Sequence, residues 1–205
     1  MKLVIAGGFG VGKTTAVASI SEITPLTTEA LMTTASVKVD DTADTPDKTT
    51  TTVALDFGCL TVDNAMKLYL FGTPGQDRFG FMWNDIARGA LGALIVVDSR
   101  RLQDGYPAVD YFERLNMPFV VAVNLFNGSL HHDLDAVRWA LAIHSGVPVV
   151  AFDARDKFSV RDALLVLLRQ ALAAVRSRRK ARNAEYDAQP VSSWNEQDPA
   201  QGAAR

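Results

Sequence analysis

The sequence predicts an α/β protein, a mostly parallel sheet with helices on both faces and one antiparallel hairpin strand. Three observations carry this reading. Short apolar runs without polar alternation occur at Leu3-Val4-Ile5, Leu91 to Val97, Phe119 to Val123 and Val147 to Phe152, as strands buried on both faces require. Segments of helical patterning separate them, and strands alternating with helices demand a sheet covered on both sides. One pair of runs, Val53 to Val62 and Met66 to Phe71, meets at a tight Asp63-Asn64 turn and predicts the hairpin.

In chain order, the first strand runs directly into Gly7-Gly8-Phe9-Gly10-Val11-Gly12-Lys13-Thr14, which fits the phosphate-binding pattern G-x-x-x-x-G-K-[ST] at every fixed position. Glycines let the backbone aim successive N–H groups inward, and a helix starting near Lys13 adds its positive dipole end to the same anion site. Lys13 is expected to reach the β- and γ-phosphates and Thr14 to ligate Mg²⁺ through its hydroxyl, with Thr15 also among the nucleotide-binding residues. The chain is therefore expected to bind a nucleoside triphosphate. Ala16, Val17, Ile20 and Ile23 then recur at helical spacing.

From Thr24 to Thr52 the composition changes to eleven threonines, four aspartates and two prolines, too few large apolar groups for much regular packing. So long a loop inside a compact domain is read as functional. Beyond the hairpin, Tyr106 to Leu115 and Asp133 to His144 read as helices, and Val160, Ala163, Leu164, Leu167, Leu168, Ala171, Leu172 and Val175 form a full amphipathic stripe. After Val175 comes the basic run Arg176-Ser177-Arg178-Arg179-Lys180, followed by a polar segment. Residues 176–205 are expected to be a disordered tail, which leaves one domain over 1–175.

The net charge of −2 becomes 15 basic against 19 acidic residues without that tail, so no nucleic-acid partner is expected. The lone Cys59 reads as a small core residue. With no secretory or spanning segment, a cytoplasmic location is expected. His131, His132 and His144 lack metal-ligand spacing and read as loop and helix-surface residues.

Gly72-Thr73-Pro74-Gly75-Gln76, Asn124-Leu125-Phe126-Asn127 and Asp153-Ala154-Arg155 follow successive strands, and in that order they resemble the third, fourth and fifth motifs of Ras-like small GTPases. The stretches GGFGVGKTT, TTTTVALDFG and FGTPGQDRF more narrowly resemble the bacterial conservon ATP/GTP-binding proteins, relatives of the MglA-type polarity GTPases. The resemblance spans residues 1–175 and implies a Ras-like P-loop GTPase domain with residues 24–52 as an extended switch I. It further implies a molecular switch that binds GTP or GDP with Mg²⁺, ATP not being excluded, and hydrolyses slowly. A roadblock-type regulatory protein, a sensor kinase complex and at most peripheral membrane contact complete the implied setting.

Carried over by position, Thr52 resembles the switch I threonine that adds a second hydroxyl to Mg²⁺. Gly75 resembles the glycine whose N–H meets the γ-phosphate, and Gln76 the residue that orients the attacking water. Asn124 and Asn127 resemble base-recognition positions, and the Ala154 N–H would favour a 6-oxo group. Three departures stand out. Gly72 replaces the aspartate that holds Mg²⁺ through water, so metal binding is expected to rest on Thr14, Thr52 and the phosphates. Leu125 and Asn127 replace lysine and aspartate, which weakens guanine selectivity, because an amide presents one acceptor and one donor where a carboxylate accepts twice. Phe9 puts a ring where relatives carry a small residue, either turned away or crowding Gln76.

No arginine is placed in cis by these motifs, and Lys48 and Arg78 read as solvated charges. Phe79, Phe81, Met82 and Trp83 either pack a helix on the sheet or form a partner surface. The rival readings are a P-loop ATPase or nucleotide kinase, with Asp98 as its Mg²⁺-water aspartate, and a pseudo-GTPase without turnover.

Overall fold

A computed structural model describes residues 1–24, 28–31, 50–53, 55–75 and 77–187. Strand β1 (Lys2–Ala6) leads to helix α1 (Lys13–Ile20), then β2 (Thr28–Leu31), β3 (Thr50–Val53), β4 (Phe57–Asp63) and β5 (Met66–Gly72). A 3₁₀ turn (Asp77–Met82), α2 (Trp83–Ala87), β6 (Ala93–Val97), a second 3₁₀ turn (Leu102–Gly105), α3 (Tyr106–Arg114), β7 (Phe119–Asn124), α4 (Leu134–Ala140), β8 (Val149–Phe152) and α5 (Lys157–Asp187) follow.

The main sheet has six strands in the order β4-β5-β1-β6-β7-β8, parallel except for the β4–β5 pair. The period of two along each strand sorts the core into two layers. Leu3, Ile5, Leu94, Val96 and Val120 pack with Val17, Leu164 and Leu167 of α1 and α5. Val4, Ala6, Ile95, Val97 and Val121 pack on the other face with Ile86, Val109, Phe112 and Val137 of α2, α3 and α4. Cys59 is buried in β4, as a small core residue would be.

Three expectations change. Within the Thr24 to Thr52 stretch, β2 and β3 form an antiparallel pair with Glu29 opposite Thr52, because β-branched threonine suits an extended backbone. The hairpin's first strand starts at Phe57 rather than Val53, since Thr50–Val53 pairs with β2 and pairing with β5 begins at Phe57. The tail is not disordered from 176: α5 continues to Asp187, through Ala, Arg and Lys residues of high helix propensity. Residues 188–205 lie outside the described residues. The stripe also ends early, with Leu172 and Val175 at 49% and 56% exposed. A helix of this length, about 45 Å at 1.5 Å per residue, overruns strands of about 20 Å.

Candidate nucleotide-binding site

The loop between β1 and α1 closes with Gly12 at φ 109, immediately before the first helical residue. A β-carbon at Gly12 would lie 2.5 Å from Asn124 Nδ2, so the position has neither the conformation nor the room for a side chain. Asn124 itself, buried at the end of β7, donates from Nδ2 to the Val11 carbonyl at 2.9 Å and accepts at Oδ1 from the Ala154 N–H at 3.1 Å. One amide thus ties the phosphate loop to the loops after β7 and β8.

Lys13 is only 7% exposed. Its Nζ donates to the Gly7 carbonyl at 2.9 Å and to that of Gly8. Burial lowers its pKa to about 8, opposed by the nearby Asp56 carboxylate. The site is therefore built around a cation that protein groups alone solvate poorly. A cavity of about 320 Å³ opens beside it, lined by Phe9, Gly10, Gly12, Lys13, Thr14, Thr15, Asp56, Thr73 and Gly75.

Asp56 is the residue that sequence reasoning missed. Thr14 Oγ1 donates to Asp56 Oδ2 at 2.7 Å, and the Gly72 N–H donates to the Asp56 carbonyl at 2.7 Å. A β-carbon at Gly72 would stand 2.8 Å from both Cβ and Oδ2 of Asp56. The carboxylate absent from position 72 is thus supplied from the neighbouring strand, into the same space. The signal was present in the run Val53-Ala54-Leu55-Asp56-Phe57, an aspartate inside an apolar strand pattern. Thr73 is buried in the cavity wall, and its Oγ1 has no hydrogen-bond partner among the described residues. Thr14 and Asp56, hard oxygen donors 2.7 Å apart on the cavity wall, are of the kind that fits Mg²⁺.

The other expected residues divide. Gly75 closes on the cradle, where an added β-carbon would meet Lys13 Nζ at 2.6 Å and the Gly8 carbonyl at 2.7 Å. Gln76 lies outside the described residues, as do Lys48 and the side chain of Thr52. The Phe9 ring is 65% exposed at the cavity rim. Asn127 is exposed at φ 57 in the turn closed by the Phe126–Ser129 bridge. The Ala154 N–H, expected to face a base, is engaged by Asn124. In this structure the Asn124 side chain is the partner of that amide.

Asp98, the rival's metal aspartate, is 1% exposed and accepts from Arg100 through Nε, Nη2 and the backbone N–H. The Arg100 guanidinium holds its carboxyl below the usual range and also stacks on Phe126, 4.2 Å from the ring centroid. Trp83 packs edge-on to Tyr111 and stacks on Phe112, so it and Met82 belong to the core margin, while Phe81 is half exposed. The side chain of Phe79 lies outside the described residues. His131, His132 and His144 are exposed, and His144 Nδ1 accepts from the Gly146 N–H at 3.1 Å. Among the described residues no group of three His, Cys, Asp or Glu could hold a metal, and no helix is long and apolar enough to cross a membrane.

Solved structures share the fold. The cytosolic domain of L. pneumophila FeoB superposes with a TM-score of 0.59 at 16% identity over 83% of this chain and 64% of that one. The FeoB G-domain of Methanococcus jannaschii gives 0.54 at 15% identity over 83% and 96%. An uncharacterized protein of Methanocaldococcus jannaschii, MJ1339, is 33% identical over 75 residues, 36% of this chain and 48% of its own, so the match spans about half the length of that relative. The family described as conserved hypothetical ATP binding protein matches residues 5–174, which hold the whole of this site, and the chain belongs to that family.

Proposed function

We propose that this protein is a GTPase-type molecular switch of low intrinsic activity, working in a signalling complex with a roadblock-type partner. The observation that carries the reading is one cavity walled by Lys13, Thr14, Asp56 and Gly75, a cation, a metal-ligand set and a γ-phosphate donor together. Mg²⁺, held by Thr14 and Asp56 with Thr52 as the switch ligand, would offset charge on the phosphate oxygens. Lys13 binds the β- and γ-phosphates, the Gly75 N–H donates to the γ-phosphate, and Gln76 orients the attacking water. A nucleotide kinase is disfavoured because Asp98 is committed to Arg100.

A partner gripping the Phe79 and Phe81 surface would fix Gln76 by stabilising one loop arrangement. Single-turnover hydrolysis is expected to be slow for the isolated chain and faster with a roadblock-type partner. Gln76→Leu should remove that stimulation. A wild type that turns over equally fast alone would refute the partner's role, and one that binds nucleotide without turnover would establish the pseudo-GTPase.

The family is described as ATP-binding, whereas one of the FeoB structures is called a G-domain, and the Asn124 to Asn127 loop is where the choice of base would be made. Asn127→Asp should raise preference for GTP over ATP, because a carboxylate accepts from both guanine donors. The gain expected is about 1–3 kcal/mol, roughly five- to 150-fold in competition binding. No change would mean that Asn127 does not face the base.

A further inference from the structure

Arg101 sits on the loop between β6 and α3, outside every motif in the sequence. Its guanidinium is steered by two carboxylates, with Nε 3.8 Å from Asp98 Oδ2 and Nη1 3.6 Å from Asp104 Oδ2. The remaining nitrogen, Nη2, donates to the Phe9 carbonyl at 3.2 Å and lies 3.7 Å from where a Gly10 β-carbon would be. The Leu102–Gly105 turn braces the same stretch, since a β-carbon at Gly8 would come within 2.7 Å of Asp104 Cβ.

The Phe9 carbonyl and the Gly10 N–H are the two ends of one peptide unit. A trans peptide is planar, so these groups point in opposite directions. With the carbonyl accepting from Arg101, the Gly10 N–H points the opposite way, and Phe9, Gly10 and Lys13 all line the cavity. This unit is free to turn over, because Gly10 sits at φ 72 and glycine populates both signs of φ. A reversed unit would aim a carbonyl oxygen at the phosphates. A cation on the carbonyl opposes that reversal and polarises the N–H at the other end.

We propose that Arg101 is a positioning residue for the polyphosphate, holding the Phe9–Gly10 peptide so that the Gly10 N–H donates to the outer phosphates of a nucleoside triphosphate. The proposal rests on the nucleotide-binding reading above. It supplies an in-chain arginine that acts through the backbone rather than by touching the ligand.

The test uses full-length protein labelled with ¹⁵N-glycine and the β,γ-imido analogues of GTP and ATP, with GMP and AMP as short controls. Arg101→Ala strands no buried charge, because Asp98 keeps its bonds from Arg100. The variant should bind the imido analogue about tenfold more weakly, the value of one charge-assisted hydrogen bond, and monophosphate as wild type does. The Gly10 amide proton, shifted downfield by the analogue in wild type, should lose that shift in Arg101→Ala and regain part of it in Arg101→Lys. Equal losses for mono- and triphosphate, or an unmoved Gly10 amide, would overturn the proposal. A wild type that binds neither analogue overturns the nucleotide reading and this inference with it. Binding by wild type with no difference in Arg101→Ala overturns this inference alone.

Discussion

Lys13→Ala should weaken triphosphate binding by about 10²- to 10⁴-fold, with the melting temperature unchanged or raised. Two charge-assisted contacts to phosphate are lost, each worth about 1.5–3 kcal/mol. The core is untouched, because the lysine's bonds in the structure go to loop carbonyls rather than to a packed layer. The depressed pKa gives a second readout. Free Lys13 titrates near 8, and phosphate restores its charge, so binding takes up a proton above that pH. Wild-type affinity should therefore fall as pH rises through 8, a slope absent from Lys13→Ala. Stability moves the other way. Between about 8 and the ordinary lysine value of 10.5 the unfolded chain holds the proton and the folded one does not, so this group makes folding more favourable as pH rises across that window. Calorimetry from pH 7 to 10 checks both signs, and undiminished binding by Lys13→Ala would remove the phosphate-cradle assignment.

The second large effect is expected at Asp56. Asp56→Ala should shift the Mg²⁺ concentration needed for tight nucleotide binding upward by at least about 10–100-fold, the cost of losing even a partner that only orients the ligand Thr14. Gly72→Asp in the wild-type background should not help, because its β-carbon would overlap Asp56 Cβ and Oδ2 at 2.8 Å. The exchange Asp56→Gly with Gly72→Asp removes that overlap and should recover part of the Mg²⁺ dependence. An unchanged Mg²⁺ midpoint in Asp56→Ala, read by titration of nucleotide affinity, would show that the carboxylate serves only Thr14.

What the sequence revealed and what it hid have a common physical basis. The buried strands, the phosphate loop and the Asn124 position were legible because local composition or fixed spacing encodes them. Asp56 stood out only as an aspartate in an apolar run, and neither its partner nor that of Arg101 was legible, since each is met across a distance in sequence that no periodicity records, 42 residues from Thr14 and 92 from Phe9. Helix α5 was underestimated because a stripe signals where a helix is covered, whereas its last turns form from backbone propensity and from single contacts such as Arg178 to the Asn116 carbonyl. The bond from the Ala154 N–H to Asn124 was likewise not legible, because sequence cannot show which side chain reaches an amide 30 residues away.

The bonds of Asn124 to Val11 and Ala154 have a consequence for how a ligand is measured. One amide joins the floor of the phosphate cradle to the loop after β8, so a nucleotide spanning the two would find their spacing set before it arrives. Such an arrangement behaves as a chelator: once one end docks, the other is delivered at high effective concentration, and the free energies of separate halves fall short of that of the joined molecule. Loosening the Asn124 joint should then erode the advantage of the intact nucleotide over its fragments, even where every direct contact to either fragment survives.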